Sequence, residues 1–270
     1  MVVDWREKAQ QHWIKLLIYL FFISLNHNSN LFNMKPISKL IFAMMLMTAM
    51  ALVTGCKTEE NPDSGNTLNG HEYVDLGLPS GTLWAACNVG ANTPEEYGDY
   101  FAWGETAPKT TYNWSNYKYC NGGDGWNTLT KYCYDASYGY NGFADNLTIL
   151  LPEDDAATAN WGSGWCMPTA DQWDELRDNT NTSWITQNGV GGCLFTASNG
   201  HSLFLPAAGL RWDDELLSAG SNGGYWSSSL NTVSPDNAWD FGFGSDDYSM
   251  GYGDRGYGLS VRPVHSSPQN

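Results

Sequence analysis

Basic residues are scarce in this chain: 13 Lys and Arg stand against 29 Asp and Glu, which leaves 270 residues with a formal charge of −16. A surface of that sign repels phosphate backbones and anionic headgroups, so nucleic acid is excluded as a partner and a membrane is reachable only through a covalent anchor. Histidine is rarer still, with five in all, and neither HExxH nor CxxC occurs. Zinc chemistry therefore lacks a ligand set, and no metal or other cofactor is expected. Long helical periodicity is also missing, which argues against a helical bundle.

Apolar runs are short, and the longest shows how the chain is processed. Residues 34–56 read "MKPISKLIFAMMLMTAMALVTGC", with Lys35 and Lys39 ahead of a 14-residue run from Leu40 to Val53. A spanning helix needs about 20 apolar residues, whereas a secretory signal peptide has this layout. The ending "LVTGC" resembles a bacterial lipobox, which implies that Cys56 is acylated and becomes the mature N-terminus. A second apolar run, Leu16–Leu25, lies upstream, where a signal peptide should already have begun. Met34 is thus expected to be the true start, with residues 1–33 an overlong gene start and 34–55 the signal peptide. Residues 56–70, "CKTEENPDSGNTLNG", read as a flexible tether. Lys57, Glu59 and Glu60 just after the cysteine resemble the export signal of Bacteroidetes-type lipoproteins, which implies the outer face of the outer membrane.

With Cys56 assigned to lipid, Cys87, Cys120, Cys133, Cys166 and Cys193 remain. Export permits disulfides, and Cys120 and Cys133, which flank the turn-rich "NGGDGWNTLTKY", are the expected pair. Five is odd, so at least one thiol is left over.

The remaining body, 71–265, reads as an α+β domain of short strands, two helices and long loops. "MPTADQWDELRDN" carries a capping box, Thr169 with Gln172, before Trp173 and Leu176 on one face, and Asn179 is a plausible stop. "LPEDDAATANW" predicts a second helix with Pro152 in its first turn. Strands are predicted in "HEYVDLG", "TLWAACNV", "GDYFAWGE", "CLFTAS", "SLFLPAA", "GGYWSSS", "NAWDFGFG" and "GLSVRPV". Trp84, Trp103, Trp165, Trp226 and Trp239 are expected in the core, and Asp154/Asp155 and Asp213/Asp214/Glu215 are expected to be solvated acidic faces.

"YVDLGLPSGTLWAACNVGA", "YGDYFAWGET", "EDDAATANWGSGWCMPTADQWDEL", "SLFLPAAG", "YWSSS" and "SVRPV" occur in that order across roughly 71–264. In this the chain resembles the Fibrobacter succinogenes major paralogous domain family, with Cys166 standing where relatives usually carry Arg. The resemblance implies a C-type-lectin-like fold, shared with formylglycine-generating enzymes and with the variable proteins of diversity-generating retroelements. Two activities of that fold lack their residues. "SPDNAWD" (234–240) scrambles the calcium-dependent sugar motif, and no Cys lies beyond Cys193 to supply a formylglycine-type cysteine pair. An enzyme is therefore not expected. A degenerate enzyme of that type and a non-diversified glycan-binding adhesin are the alternatives to a diversified binding protein.

From Asp240 to Gly258 the chain uses six Gly, four Asp, three Tyr and two Ser, broken only by Phe241, Phe243, Met250 and Arg255. Some relatives carry a stretch close to "SGNVNMNNNNRNNGxSVRPV", and "SDDYSMGYGDRGYGLSVRPV" keeps its anchors. Between them, Asp, Ser, Gly and Tyr replace Asn, as adenine-directed mutagenesis of AAC would produce. The resemblance thus implies a hypervariable site built from Asp240, Gly242, Gly244, Asp246, Asp247, Ser249, Gly251, Tyr252, Gly253, Asp254, Gly256 and Tyr257, with Trp212 and Tyr225 as neighbours. Period-2 alternation puts Trp239, Phe241 and Phe243 inward and Asp240, Gly242 and Gly244 outward. Tyr with Gly and Ser is a paratope-like mixture, so the expected partner is a protein or glycan ligand. Tyr252 and Tyr257 are expected to be removable without loss of fold.

The lipobox carries its own test. Cys56→Ala should release the protein from the outer-membrane fraction into the soluble one, and a variant that still sediments with membranes would refute acylation at this residue.

Overall fold

The computed structural model describes residues 66–122 and 125–266; the features read in residues 1–65, Cys56 and the signal peptide among them, lie outside the described residues. Strands β1 (Thr67–Leu68), β2 (His71–Val74), β3 (Thr82–Ala85) and β4 (Tyr100–Phe101) come first. Helices α1 (Ala156–Trp161) and α2 (Ala170–Asn179) follow a long stretch of 3-10 turns and isolated bridges. Ten more strands complete the described chain: β5 (Thr180–Gln187), β6 (Val190–Ala197), β7 (Ser202–Pro206), β8 (Leu210–Trp212), β9 (Glu215–Leu217), β10 (Gly223–Leu230), β11 (Asn237–Phe243), β12 (Tyr248–Asp254), β13 (Leu259–Ser260) and β14 (Val264–Ser266). The class is a strand-rich α+β fold.

The predicted helices form, with one shift. At α2 the Thr169 side chain accepts from the Gln172 backbone N–H and the Gln172 side chain accepts from the Thr169 N–H, which is the capping box expected. Trp173 and Leu176 are its buried face. Pro152, however, opens a 3-10 turn, and α1 starts only after Asp155, whose carboxylate caps the Thr158 N–H at 2.9 Å. Every predicted strand is found, but β5 and β12 carry no apolar alternation and escape the sequence pattern. β5 is the polar edge of the sheet β5-β6-β7, and β12 is the glycine-rich edge of the sheet β12-β11-β10-β13-β4.

That five-stranded sheet separates two cores because its central strand is buried on both faces. Tyr225 and Phe241 point into one cluster, with Trp84, Trp173 and Phe195; the Trp173 and Phe241 rings stack with centroids 4.9 Å apart. Trp226, next along the strand, points into the other, with Trp103, Tyr112 and Tyr132 from the strand-poor stretch. Trp84, Trp103, Trp165 and Trp226 are buried as expected, whereas Trp239 is half-buried.

Two expectations need correction. Asp154 and Asp155 are each only 3 % exposed and are not a solvated face. Asp154 gathers the ammonium groups of Lys118 and Lys131 and the hydroxyls of Tyr119 and Tyr132. Burial alone would raise its carboxyl, but these donors, Lys131 foremost, outweigh it and hold the group at about 2. Asp155 spends its oxygens on the α1 cap and the Met167 N–H. By contrast Asp213, Asp214 and Glu215 are exposed, as read. Cys120 and Cys133 are not joined either: both are free thiols, directed at the carbonyls of Gly125 and Asp135 respectively.

Two arginines are fully buried. Arg255 donates to the Tyr117 hydroxyl and to the carbonyls of Lys131, Tyr132 and Pro235, and Arg262 donates to the Asn88 side chain and the carbonyls of Ala85, Ala86 and Phe204. Removing such a group strands several buried acceptors, so Arg255→Met should cost about 3–5 kcal/mol in urea unfolding, the scale of a broken buried polar pair. A loss below about 1 kcal/mol, the scale of an ordinary surface change, would show that the guanidinium holds little.

Candidate ligand-binding surface

β11 and β12 form a hairpin closed by residues 244–247, with the Gly244 N–H donating to the Asp247 carbonyl at 2.8 Å. The ladder fixes which side chains share a face. Trp239 lies opposite Tyr252, Phe241 opposite Met250, and Asp240 opposite Gly251 on one side and Trp226 on the other. Phe241 and Phe243 are buried and Asp240 and Gly242 face the other way, as alternation predicts. In β12 the alternation places Tyr252 on the face of Phe241, not on that of Asp240. Tyr252 is nonetheless 61 % exposed, and its ring meets Trp239 edge to face at 6.0 Å. The changeable letters thus occupy both faces of the hairpin, not one.

Of the expected site residues, Asp246, Asp247, Ser249 and Tyr252 are exposed, and Asp240, Gly242, Gly251, Gly253, Asp254, Tyr257 and Trp212 are partly exposed. Trp212 and Tyr257 are brought together edge to face, 4.8 Å between centroids, because β8 pairs with the turn after β12 through mutual Arg211–Gly258 backbone hydrogen bonds. Gly244 and Gly256 are buried and lie beneath the surface; a Cβ on Gly256 would come 3.3 Å from the Asn113 backbone. Tyr225 is a correction as well. Its ring is fully buried in the second core and its hydroxyl donates to the Pro206 carbonyl at 2.7 Å, so it is no surface neighbour. Tyr257 is less free than expected, since it packs against the first core and hydrogen-bonds Asp254.

Two groups that the sequence reading passed over complete the surface. Trp114, from a 3-10 turn, reaches Asp254 with a hydrogen bond, as Tyr257 does. Burial and the neighbouring Asp236 raise the Asp254 carboxyl, while these two donors oppose the rise. Tyr248, at the start of β12, is 40 % exposed. Its only sequence signal is its place inside the Tyr-rich stretch.

Asp240 stands apart. Its carboxylate accepts no hydrogen bond and meets no cation among the described residues, and burial alone pushes it up to about 7. A hollow elsewhere, about 430 Å³ and lined by Ser80, Thr82, Asp155, Cys166, Thr169 and Gln172, offers no comparable group. Its hydroxyls and carboxylate are already bonded within the protein, and burial pushes the Cys166 thiol up to about 12, where it stays protonated.

Comparison with known proteins found no matching family model, no matching curated protein and no matching solved structure.

The Asp240 titration gives a stability signature. Its folded value lies above the ordinary 3.8, so the folded state holds the proton more tightly, and stability falls as pH rises from about 4 to about 7. Asp240→Asn removes that loss. Its Tm should exceed that of the unaltered protein by at least about 3 °C at pH 8, with the gap closing toward pH 4, measured by calorimetry. An equal gap at both pH values would show that the carboxyl does not titrate in this window.

Proposed function

We propose that this chain is a binding protein with a C-type-lectin-like domain, tethered to the bacterial outer membrane by lipid on Cys56 and displayed to the exterior. Its ligand is a protein or glycan, taken up by the β11–β12 hairpin and the Trp212–Tyr257 corner, and the hairpin is the target of retroelement-driven diversification. The observation that carries the reading is the position of Tyr252. A 61 % exposed aromatic stands on a strand edge with its ring edge to face against Trp239, and the exposed Tyr248 shares its face of β12. A tyrosine so placed contributes little to folding and offers its ring and hydroxyl outward. The anchors Phe241, Met250 and Arg255 are packed inward, so the exposed letters between them, Ser249 and Tyr252, can change without disturbing the core.

Screening the protein against bacterial-surface, phage and host glycoprotein preparations supplies the ligand for a direct test. Tyr252→Ala should weaken capture by roughly thirtyfold, the equivalent of about 2 kcal/mol for an interface anchor. The same variant should change unfolding free energy by no more than about 0.5 kcal/mol, whereas Phe241→Ala should cost about 3–5 kcal/mol. A captured ligand that binds Tyr252→Ala as tightly as the unaltered protein would place the binding surface elsewhere.

A further inference from the structure

β12 is an edge strand, and the register shows which of its backbone groups face outward. The Gly244 N–H donates to the Asp247 carbonyl, so these two residues close the hairpin as a hydrogen-bonded pair. Bonded and non-bonded pairs alternate along an antiparallel ladder. The backbone groups of Ala238, Asp240 and Gly242 therefore meet those of Gly253, Gly251 and Ser249. Trp239, Phe241 and Phe243 turn theirs to β10, and the Ser227 hydroxyl of that strand indeed donates to the Trp239 carbonyl. The N–H and C=O groups of Tyr248, Met250 and Tyr252 are left pointing away from the sheet, and among the described residues no hydrogen bond reaches them. Such an edge is ordinarily blunted by proline, lysine or a bulge. β12 has none of these: it reads "YSMGYGD", and its pairing with β11 runs unbroken from Tyr248 to Asp254.

From this geometry we infer that the β12 edge is the docking site for one extended, basic segment of a protein ligand, which joins the sheet as a further strand. The inference rests on the hairpin as the binding surface proposed above and names how that surface is engaged. Each of Tyr248, Met250 and Tyr252 offers one donor and one acceptor, at the spacing that an added strand requires. On one face of the edge the Tyr248 and Tyr252 rings, 40 % and 61 % exposed, stand on either side of Met250 and offer contact to alternate side chains of the newcomer. The other face carries only Ser249, Gly251 and Gly253, with the Asp240 carboxylate lying against the two glycines. Charge selects the occupant. A second copy paired antiparallel about Met250 would bring the exposed Asp246–Asp247 turn of each chain to the Asp254 end of the other, and like charges placed opposite destabilise a ladder. The same acids suit a strand that sets Lys or Arg on the side of Asp240 and apolar residues on the side of the tyrosines. The net charge of −16 steers such a segment in and repels an acidic one.

The probe is the hexapeptide acetyl-Lys-Val-Lys-Val-Lys-Val-amide, and residue-resolved amide hydrogen exchange of the full chain, followed by NMR, reads the edge directly. Without peptide, the Tyr248, Met250 and Tyr252 amides should exchange faster than those of Ser249, Gly251 and Gly253, which are bonded to β11. With peptide at about ten times its Kd, exchange at the three outward amides should slow about tenfold. The same peptide with Glu in place of Lys should bind at least about tenfold more weakly. Tyr252→Pro removes an outward N–H and no ladder bond, so it should bind the probe at least about tenfold more weakly than Tyr252→Ala, with melting temperatures reporting that both are folded. The exchange measurement needs no variant and decides the matter where proline disturbs the hairpin. Failure of the Lys peptide to bind, binding that leaves the three amides unprotected, or equal binding of the Glu peptide would overturn the proposal. Protection that grows with protein concentration in the absence of peptide would overturn it too, because a second copy would then hold the edge. The hairpin reading is separable from this outcome. If a captured ligand depends on Tyr252 but leaves these amides exchanging, the surface stands and strand addition is wrong; if the Lys peptide protects them and no captured ligand depends on Tyr252, the edge stands and the Tyr252 reading does not.

Discussion

The Arg255 guanidinium is the group on which the placement of the β11–β12 hairpin depends. It is fully buried and finds no carboxylate among its hydrogen-bond partners. Three backbone carbonyls and one tyrosine hydroxyl take its N–H groups, and the Trp103, Tyr117 and Tyr132 rings flank it. Its position directly after β12 makes this geometry consequential. The carbonyls of Lys131 and Tyr132 belong to the strand-poor stretch and that of Pro235 to the approach to β11, so one side chain ties both ends of the hairpin to the body. The hairpin can then project an edge strand without many apolar contacts of its own.

The same device holds the rest of the loop-rich half. Lys131 gives its carbonyl to Arg255 and its ammonium to Asp154, which also takes Lys118, Tyr119 and Tyr132. A segment that lacks regular hydrogen-bonded ladders must satisfy its polar groups in another way, and here a buried carboxylate and a buried guanidinium supply complementary centres. Arg262 plays the equivalent part at the other end of the domain, joining Ala85, Ala86 and Asn88 to Phe204. With its ends fixed in this way, the glycine-rich strand keeps its register while remaining poor in side chains.

The inward-facing pattern was legible where side chains alternate strongly or cap a helix. Thr169 with Gln172, the buried tryptophans of β3 and β10, and the Phe241–Phe243 face all follow from local spacing and hold in three dimensions. Local spacing failed where burial was created by distant partners. Asp154 reads as a solvated acid beside Asp155, yet Lys118, Tyr119, Lys131 and Tyr132 close over it from more than 20 residues away. Tyr225 reads as one more exposed tyrosine and becomes core because β10 is the central strand of its sheet. Cys120 and Cys133 read as a pair, and the bridge between Cys120 and Leu129 belongs instead to a turn that leaves both thiols free.

For the β11–β12 hairpin the division is sharper. The sequence by itself determined its alphabet: Gly, Asp, Tyr and Ser between fixed apolar and arginine positions, at the end of an acidic chain. Alternation within β11 also followed from it, because a side-chain period of two is a local property of the strand. Tertiary structure alone decided that Tyr252 overhangs the core while Tyr257 leans into it, and that Gly244 and Gly256 sit beneath the surface. It also decided that Asp240 lies against Gly251 and Gly253 and is half removed from water, while Asp246 and Asp247 stay exposed in the turn. The physical reason is that desolvation of a charge depends on what the neighbouring strands and turns bring to it, and those neighbours are set by pairing across the sheet, not by adjacency along the chain.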